Sequence, residues 1–179
     1  MASEDVAVGI DVGGTNTEIG IVDEEGTCLE RTTLSTPAYE TAQAFVDDLR
    51  RQIHGLLDAF TPAKRLKGIG IGAPNGNYYR GTIEFAPNLR WRGVVPMVEM
   101  MRSQEDTPVV LTNDANAAAL GEMFYGGARG MRDFIVITLG TGVGSGIVVD
   151  GKLVHGHSGF AGEIGHTIVD PNGRECGCG

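Results

Sequence analysis

The sequence predicts an α/β protein, a mixed sheet flanked by helices and followed by the opening strands of a second unit of the same kind. Two observations carry that expectation. The apolar run Val6-Ala7-Val8-Gly9-Ile10 leads into Asp11-Val12-Gly13-Gly14-Thr15-Asn16-Thr17 and then into Glu18-Ile19-Gly20-Ile21-Val22. The plan repeats in Phe134-Ile135-Val136-Ile137-Thr138-Leu139, Gly140-Thr141-Gly142-Val143-Gly144 and Gly146-Ile147-Val148-Val149. Between the two copies, the apolar spacing alternates between strand and helix periods.

The elements follow in order. Residues 28–35 read as a third strand of alternating character. Over residues 41–60, Ala42, Phe45, Val46, Leu49, Ile53, Leu56, Leu57 and Phe60 recur at three- and four-residue intervals, a long amphipathic helix with Pro62 just beyond it. Residues 66–72 form a short apolar strand, 94–102 a second helix and 109–112 another strand. An alanine-rich helix over 115–125 closes at Gly126-Gly127. Three hairpin-joined strands, then helix, strand, helix, strand, helix, suit a ribonuclease-H-like fold. A second copy starts near Asp133 and is not completed by Gly179.

At 179 residues and 41% apolar content, the chain can bury a sizeable core. Its net charge of −9 argues against nucleic acid, which needs clustered Lys and Arg. Nucleotides are not excluded, because backbone N–H groups and Mg²⁺ can hold them. No apolar stretch approaches the ~20 residues needed to cross a bilayer, so no membrane partner and a cytoplasmic location are expected.

Each glycine hairpin is open to two readings: an ordinary β-turn, or a loop whose N–H groups approach an anionic phosphate. Repetition favours the second. Asp11 could bind Mg²⁺ through water or simply cap its turn. No Gly-x-x-x-x-Gly-Lys-Ser/Thr stretch is present, and the glycines from Gly140 to Gly146 precede a strand instead of a helix. A Walker-type loop is therefore ruled out, and a dinucleotide-binding unit is not expected.

Thr112-Asn113-Asp114 joins a strand to a helix. Asp114 at that junction could act as general base on a substrate hydroxyl with Asn113 beside it, or the pair could cap the helix. Ala73-Pro74-Asn75-Gly76-Asn77 is a polar turn on the same edge. Glu163 and His166, three apart, would share one face of a helical turn. Of three cysteines, Cys28 reads as an ordinary strand residue, whereas Cys176 and Cys178 stand one residue apart and nine residues after His166. One His and two Cys make three of the four ligands of a structural zinc.

Together, Asp11-Val12-Gly13-Gly14-Thr15, Asn113-Asp114-Ala115-Asn116-Ala117, Leu139-Gly140-Thr141-Gly142-Val143-Gly144 and Glu163-Ile164-Gly165-His166 with Cys176-Gly177-Cys178-Gly179 closely resemble the ROK family. That family contains bacterial glucokinases, other hexose kinases and sugar-responsive repressors. The resemblance runs over the whole chain in order. It implies an actin-like ATPase (sugar kinase) fold of two ribonuclease-H-like lobes, with residues 1–117 the small N-terminal lobe and 118–179 the incomplete start of the large C-terminal lobe.

The resemblance further implies ATP-dependent phosphorylation of a hexose, glucose first, with Mg²⁺, by a longer parent protein that forms a homodimer or higher homo-oligomer. By analogy Asp114 is the catalytic base, and Asn75, Gly76, Asn113, Glu163 and His166 contact sugar. Asp11, Gly13, Gly14, Thr15 and Asn16 form the first phosphate loop and Gly140, Thr141 and Gly142 the second. His166, Cys176 and Cys178 resemble zinc ligands. The family's motif continues to a third cysteine and a sugar-contacting glutamate, and its usual Pro-Gly is Pro74-Asn75 here. The adenosine-binding remainder and a final helix returning to the small lobe are likewise expected beyond Gly179, so the fragment itself is expected to be inactive. A kinase for fructose, N-acetylmannosamine or allose, a non-catalytic sugar-binding protein and a sugar-sensing regulator are the alternatives. The regulator would need a DNA-binding segment ahead of Val6.

Overall fold

The computed structural model describes residues 5–60, 64–102, 107–140 and 142–175. Pro62, Thr141, Cys176 and Cys178 lie outside the described residues. The first sheet has the order β3-β2-β1-β4-β8, built from β1 (Asp5–Val12), β2 (Asn16–Val22), β3 (Cys28–Ser35), β4 (Arg65–Ala73) and, farther along the chain, β8 (Val109–Asn113). A short helical turn, Thr36–Ala38, leads to α1 (Ala42–Asp58), whose N-cap Thr41 accepts the Ala44 N–H. β1 to β3 are antiparallel, and β1, β4 and β8 run parallel. This is the expected ribonuclease-H-like order.

Alternation decides which side of that sheet is core. Val6, Val8, Ile10 and Val12 of β1, Ile19 and Ile21 of β2, and Ile69 and Ile71 of β4 are buried in one cluster with Phe45, Val46, Leu49 and Ile53 of α1. Phe45 sits between Tyr39 and Trp91, at ring-centroid distances of 5.5 and 5.0 Å. Each such side chain contributes about 1.5–3 kcal/mol by leaving water. The Tyr39 hydroxyl donates to Asp48. Burial and that hydrogen bond push the Tyr39 pKa up to about 12. The opposite face carries Gly9, Gly20, Gly70 and Gly72, and is open enough to line a cavity.

Residues 74–96 hold a small second sheet that periodicity does not reveal, made of β5 (Gly76–Asn77), β6 (Thr82–Glu84) and β7 (Val94–Val95) in the order β5-β6-β7. The helix expected over 94–102 is therefore shorter. Val94 and Val95 pair with β6, and α2 (Met97–Arg102) starts only after Pro96, because a residue before proline is driven to extended backbone.

β8 (Val109–Asn113) then leads directly into α3 (Asp114–Phe124). A third sheet follows, of β9 (Phe134–Leu139), β10 (Val143–Val149) and β11 (Lys152–Leu153), with β10 in the middle. β10 begins at Val143, earlier than the sequence suggests, because Val143 and Gly144 already pair with Leu139 and Thr138. α3 packs on both sheets, against β4 and β8 on one side and β9 and β10 on the other. The lobe boundary expected between 117 and 118 thus falls inside α3. No helix among the described residues is long and apolar enough to cross a membrane.

The α3–β10 contact is close enough to need glycine. A Cβ added at Gly146 would stand 2.5 Å from the Ala119 Cβ and 2.7 Å from the Ala115 carbonyl oxygen, whereas one at Gly140 would meet nothing within 4 Å. Gly146→Ala is expected to destabilise the chain by about 1–3 kcal/mol through overpacking. Gly140→Ala should stay within about 0.5 kcal/mol. Urea denaturation of the two variants checks the contrast.

Candidate active site

The parallel strands β1, β4 and β8 deliver their C-terminal ends to one edge, the usual place for a ligand in an open α/β sheet. In register, Asp11 of β1 lies opposite Gly72 of β4, and Gly72 opposite Thr112 of β8. The next row pairs Ala73 with Asn113. A cavity of about 770 Å³ opens here, with Asp11, Glu18, Thr112, Asp114, Thr138 and His155 in its wall. Thr138 and His155 come from the second lobe, so the cavity lies where the lobes meet.

Capping and chemistry prove compatible at the start of α3. Asn113 is the N-cap, and its Oδ1 accepts the Ala115 N–H at 2.9 Å. Asp114 is the first helical residue and its Oδ1 accepts the same N–H at 2.8 Å. The Asp114 side chain remains solvent-exposed, with its second oxygen free for a substrate proton. Asn113 keeps its amide NH₂ group to donate.

Asp11 has a carboxylate on either side. Glu18 stands directly opposite it across the β1–β2 ladder. Desolvation in the cleft floor, then the charges of Asp114 and Glu18, hold the Asp11 pKa above the usual aspartate value. Crowded negative charge of this kind suits a hard cation such as Mg²⁺, bound by one or two carboxylates together with waters and phosphate oxygens. Among the described residues no set of three His, Cys, Asp or Glu side chains forms a metal site.

The first glycine turn closes on itself, the Gly13 N–H donating to the Asn16 carbonyl at 2.9 Å. Gly14 abuts Asn88, whose Cβ would lie 2.9 Å from a Cβ at position 14. Thr15 and Asn16 are exposed. In the second turn the Gly140 N–H donates to the Gly142 carbonyl at 3.0 Å, and both glycines are exposed.

Asn75 adopts a left-handed φ of 52° and its amide donates to the Glu84 carbonyl at 2.9 Å. Gly76 runs against β8 so tightly that a Cβ there would be 2.3 Å from the Thr112 carbonyl oxygen. The turn at 74–77 is thereby locked to the strand that carries Asn113. On the second lobe, a helical turn over Ile164–His166 brings the His166 Nε2 to 3.8 Å from the Glu163 carboxylate, both side chains open to solvent. Of the three candidate zinc ligands, His166 is the one among the described residues.

Sequence reasoning missed a set of contacts between the lobes. The buried Asn77 donates from Nδ2 to the Ser158 carbonyl at 3.0 Å, across 81 positions. The Tyr78 ring stacks on His155 at 4.2 Å and 9°, and burial pushes the His155 pKa down. A two-residue strand and a lone histidine carry no periodic signal that could have revealed them.

Comparison with known proteins adds to this geometry. The ROK family profile matches residues 7–179. The chain is 43% identical over 175 residues to a glucokinase of Streptomyces coelicolor, covering 97% of this chain and 53% of that protein. It is 35% identical over 173 residues to a glucokinase of Thermotoga maritima, covering 96% and 53%. The crystal structure of a ROK family glucokinase from Streptomyces griseus in complex with glucose and AMPPNP superposes with a TM-score of 0.83 at 41% identity, covering 97% of this chain and 54% of that one. The chain thus spans about half the length of the relatives it matches, and its mixed α/β architecture is that of ROK sugar kinases in the actin-like ATPase fold. By sequence and by structure alike, the chain belongs to the ROK family.

Proposed function

We propose that this chain is the N-terminal portion of an ATP-dependent hexose kinase, and that glucose is its sugar. The observation that carries the reading is the pair Asp11, near the end of β1, and Asp114, at the start of α3 directly after β8, which line one cavity. The choice of glucose rests on the likeness to the Streptomyces coelicolor and Streptomyces griseus glucokinases.

In this reading the free oxygen of Asp114 accepts the proton of the attacking sugar hydroxyl. The sugar oxygen forms its bond to the terminal phosphorus of ATP as the bond to the ADP oxygen breaks, in line. Asn113 donates its NH₂ group to a sugar hydroxyl, its oxygen being committed to Ala115. Glu163 and His166 provide an acceptor and a donor for neighbouring hydroxyls from the other lobe. Asp11 would hold Mg²⁺, directly or through water, which supplies neutralisation of the phosphate charge. His166, Cys176 and Cys178, an imidazole and two thiols, would hold a structural Zn²⁺ together with a fourth ligand from the longer protein.

Asp114→Asn in the full-length parent should lower kcat by about 10²–10⁴-fold, the usual contribution of a positioned base, with the sugar KM changed only a few-fold. Coupled detection of ADP formation measures it, and an unchanged kcat would remove Asp114 from the role.

Asp11→Asn should separate activity from stability. Because the folded-state pKa of Asp11 is raised, the native chain binds its proton more tightly than the unfolded chain. That contribution to stability is complete below the unfolded value of 3.8 and is lost as pH rises through the folded one. The variant is therefore expected to match the parent sequence at low pH and to become the more stable of the two above that window, in urea titrations of this chain. In the full-length protein the same variant should lose ATP turnover.

A further inference from the structure

The sugar-facing turn of the second lobe is held from two sides. On its own lobe, Ser145 donates its hydroxyl to the Gly162 carbonyl, and Gly165 packs directly on the Val143 backbone. From the first lobe the support comes through the β5–β6 hairpin. Asn77 lies fully buried, and its Oδ1 accepts the Tyr79 and Arg80 N–H groups at 3.1 and 3.3 Å while its Nδ2 reaches the Ser158 carbonyl. Gly159 approaches Asn77 so closely that a Cβ there would be 2.8 Å from Oδ1.

Next to this bond, His155 lies flat against Tyr78 and edge-on to Tyr79, at 4.2 and 5.8 Å between centroids. Residues 155–161 form a closed loop, because the His155 carbonyl accepts the Ala161 N–H at 3.0 Å. Where the first lobe holds His155 and Ser158, it also fixes where Gly162 and Glu163 emerge. The hairpin is itself locked, through Gly76, to the strand ending in Asn113. A continuous run of contacts therefore joins Asp114 to the Glu163–His166 turn.

We propose that Asn77 and Tyr78 are positioning residues for the sugar site: by holding Ser158 and His155 across the cleft, they fix the turn carrying Glu163 and His166 opposite Asp114. The inference rests on the hexose-kinase reading. The contacts run to the turn that carries Glu163 and His166 and include neither glycine turn, so the effect belongs in sugar recognition and not in nucleotide recognition.

Two measurements test it. In the full-length parent, Tyr78→Ala and Asn77→Asp should each raise the glucose KM about tenfold with the ATP KM within about twofold. Asn77→Asp keeps the acceptor that serves Tyr79 and Arg80 and replaces the donor to Ser158 with a second carboxylate oxygen that repels the carbonyl. Tyr78→Phe, which retains the ring, should restore the wild-type KM. Equal changes in both KM values, or no change in either, would overturn the assignment. In the 179-residue chain, amide NMR shifts supply a readout independent of activity. Tyr78→Ala should move the resonances of residues 155–159 and also those of 162–166, and a perturbation that stops at Gly159 would refute the proposal. A wild-type parent that fails to phosphorylate any hexose would sink the kinase reading, and the NMR result would then decide the positioning role by itself.

Discussion

The cleft depends on how closely one helix can approach two sheets at once. α3 presents small residues in both directions: Ala117 lies against Gly72 of the first sheet, and Ala115 and Ala119 lie against Gly144 and Gly146 of the third. Larger side chains at any of these positions would part the helix from a sheet and move its N-terminus. Since Asp114 is the first residue of that helix and Asn113 its cap, the carboxylate is placed by backbone-to-backbone distance. Close packing of glycine on alanine is therefore what brings first-lobe and second-lobe groups into one cavity.

Electrostatics runs against this packing. Asp11, Glu18 and Asp114 share the cleft edge, and burial adds to their repulsion at Asp11. Hydrophobic burial under α1 supplies stability elsewhere, through Phe45, Val46, Leu49 and Ile53. Charge crowded in this way suits a hard cation, which could in turn bridge to a phosphate. Sites of perturbed carboxylates in a cleft are where function is usually found.

Much of this architecture was legible in the residues. α1 was evident because eight apolar positions repeat at helical spacing, and both glycine hairpins because strand, turn and strand follow without interruption. β5, β6 and β7 were not, because strands of two or three residues leave no period to detect. β7 in particular reads as part of a helix, since Val94 and Val95 continue the apolar pattern and only Pro96 separates them from α2. The role of Asp114 stayed divided between capping and catalysis for a physical reason: one oxygen serves the Ala115 N–H while the other stays available. The Asn77–Ser158 bond joins residues too far apart in sequence for local pattern to show it.

β9 carries one more consequence. Among the described residues it is the edge strand of its sheet, and its residues Ile135, Ile137 and Leu139 are more than half exposed. An apolar stripe beside an unpaired row of backbone N–H and C=O groups is a template for a strand from another molecule. Among the described residues β9 is thus one apolar edge on which another strand could pair, while the net charge of −9 keeps molecules apart at long range. Lysine or glutamate at Ile135 or Ile137 is the substitution that would blunt this edge.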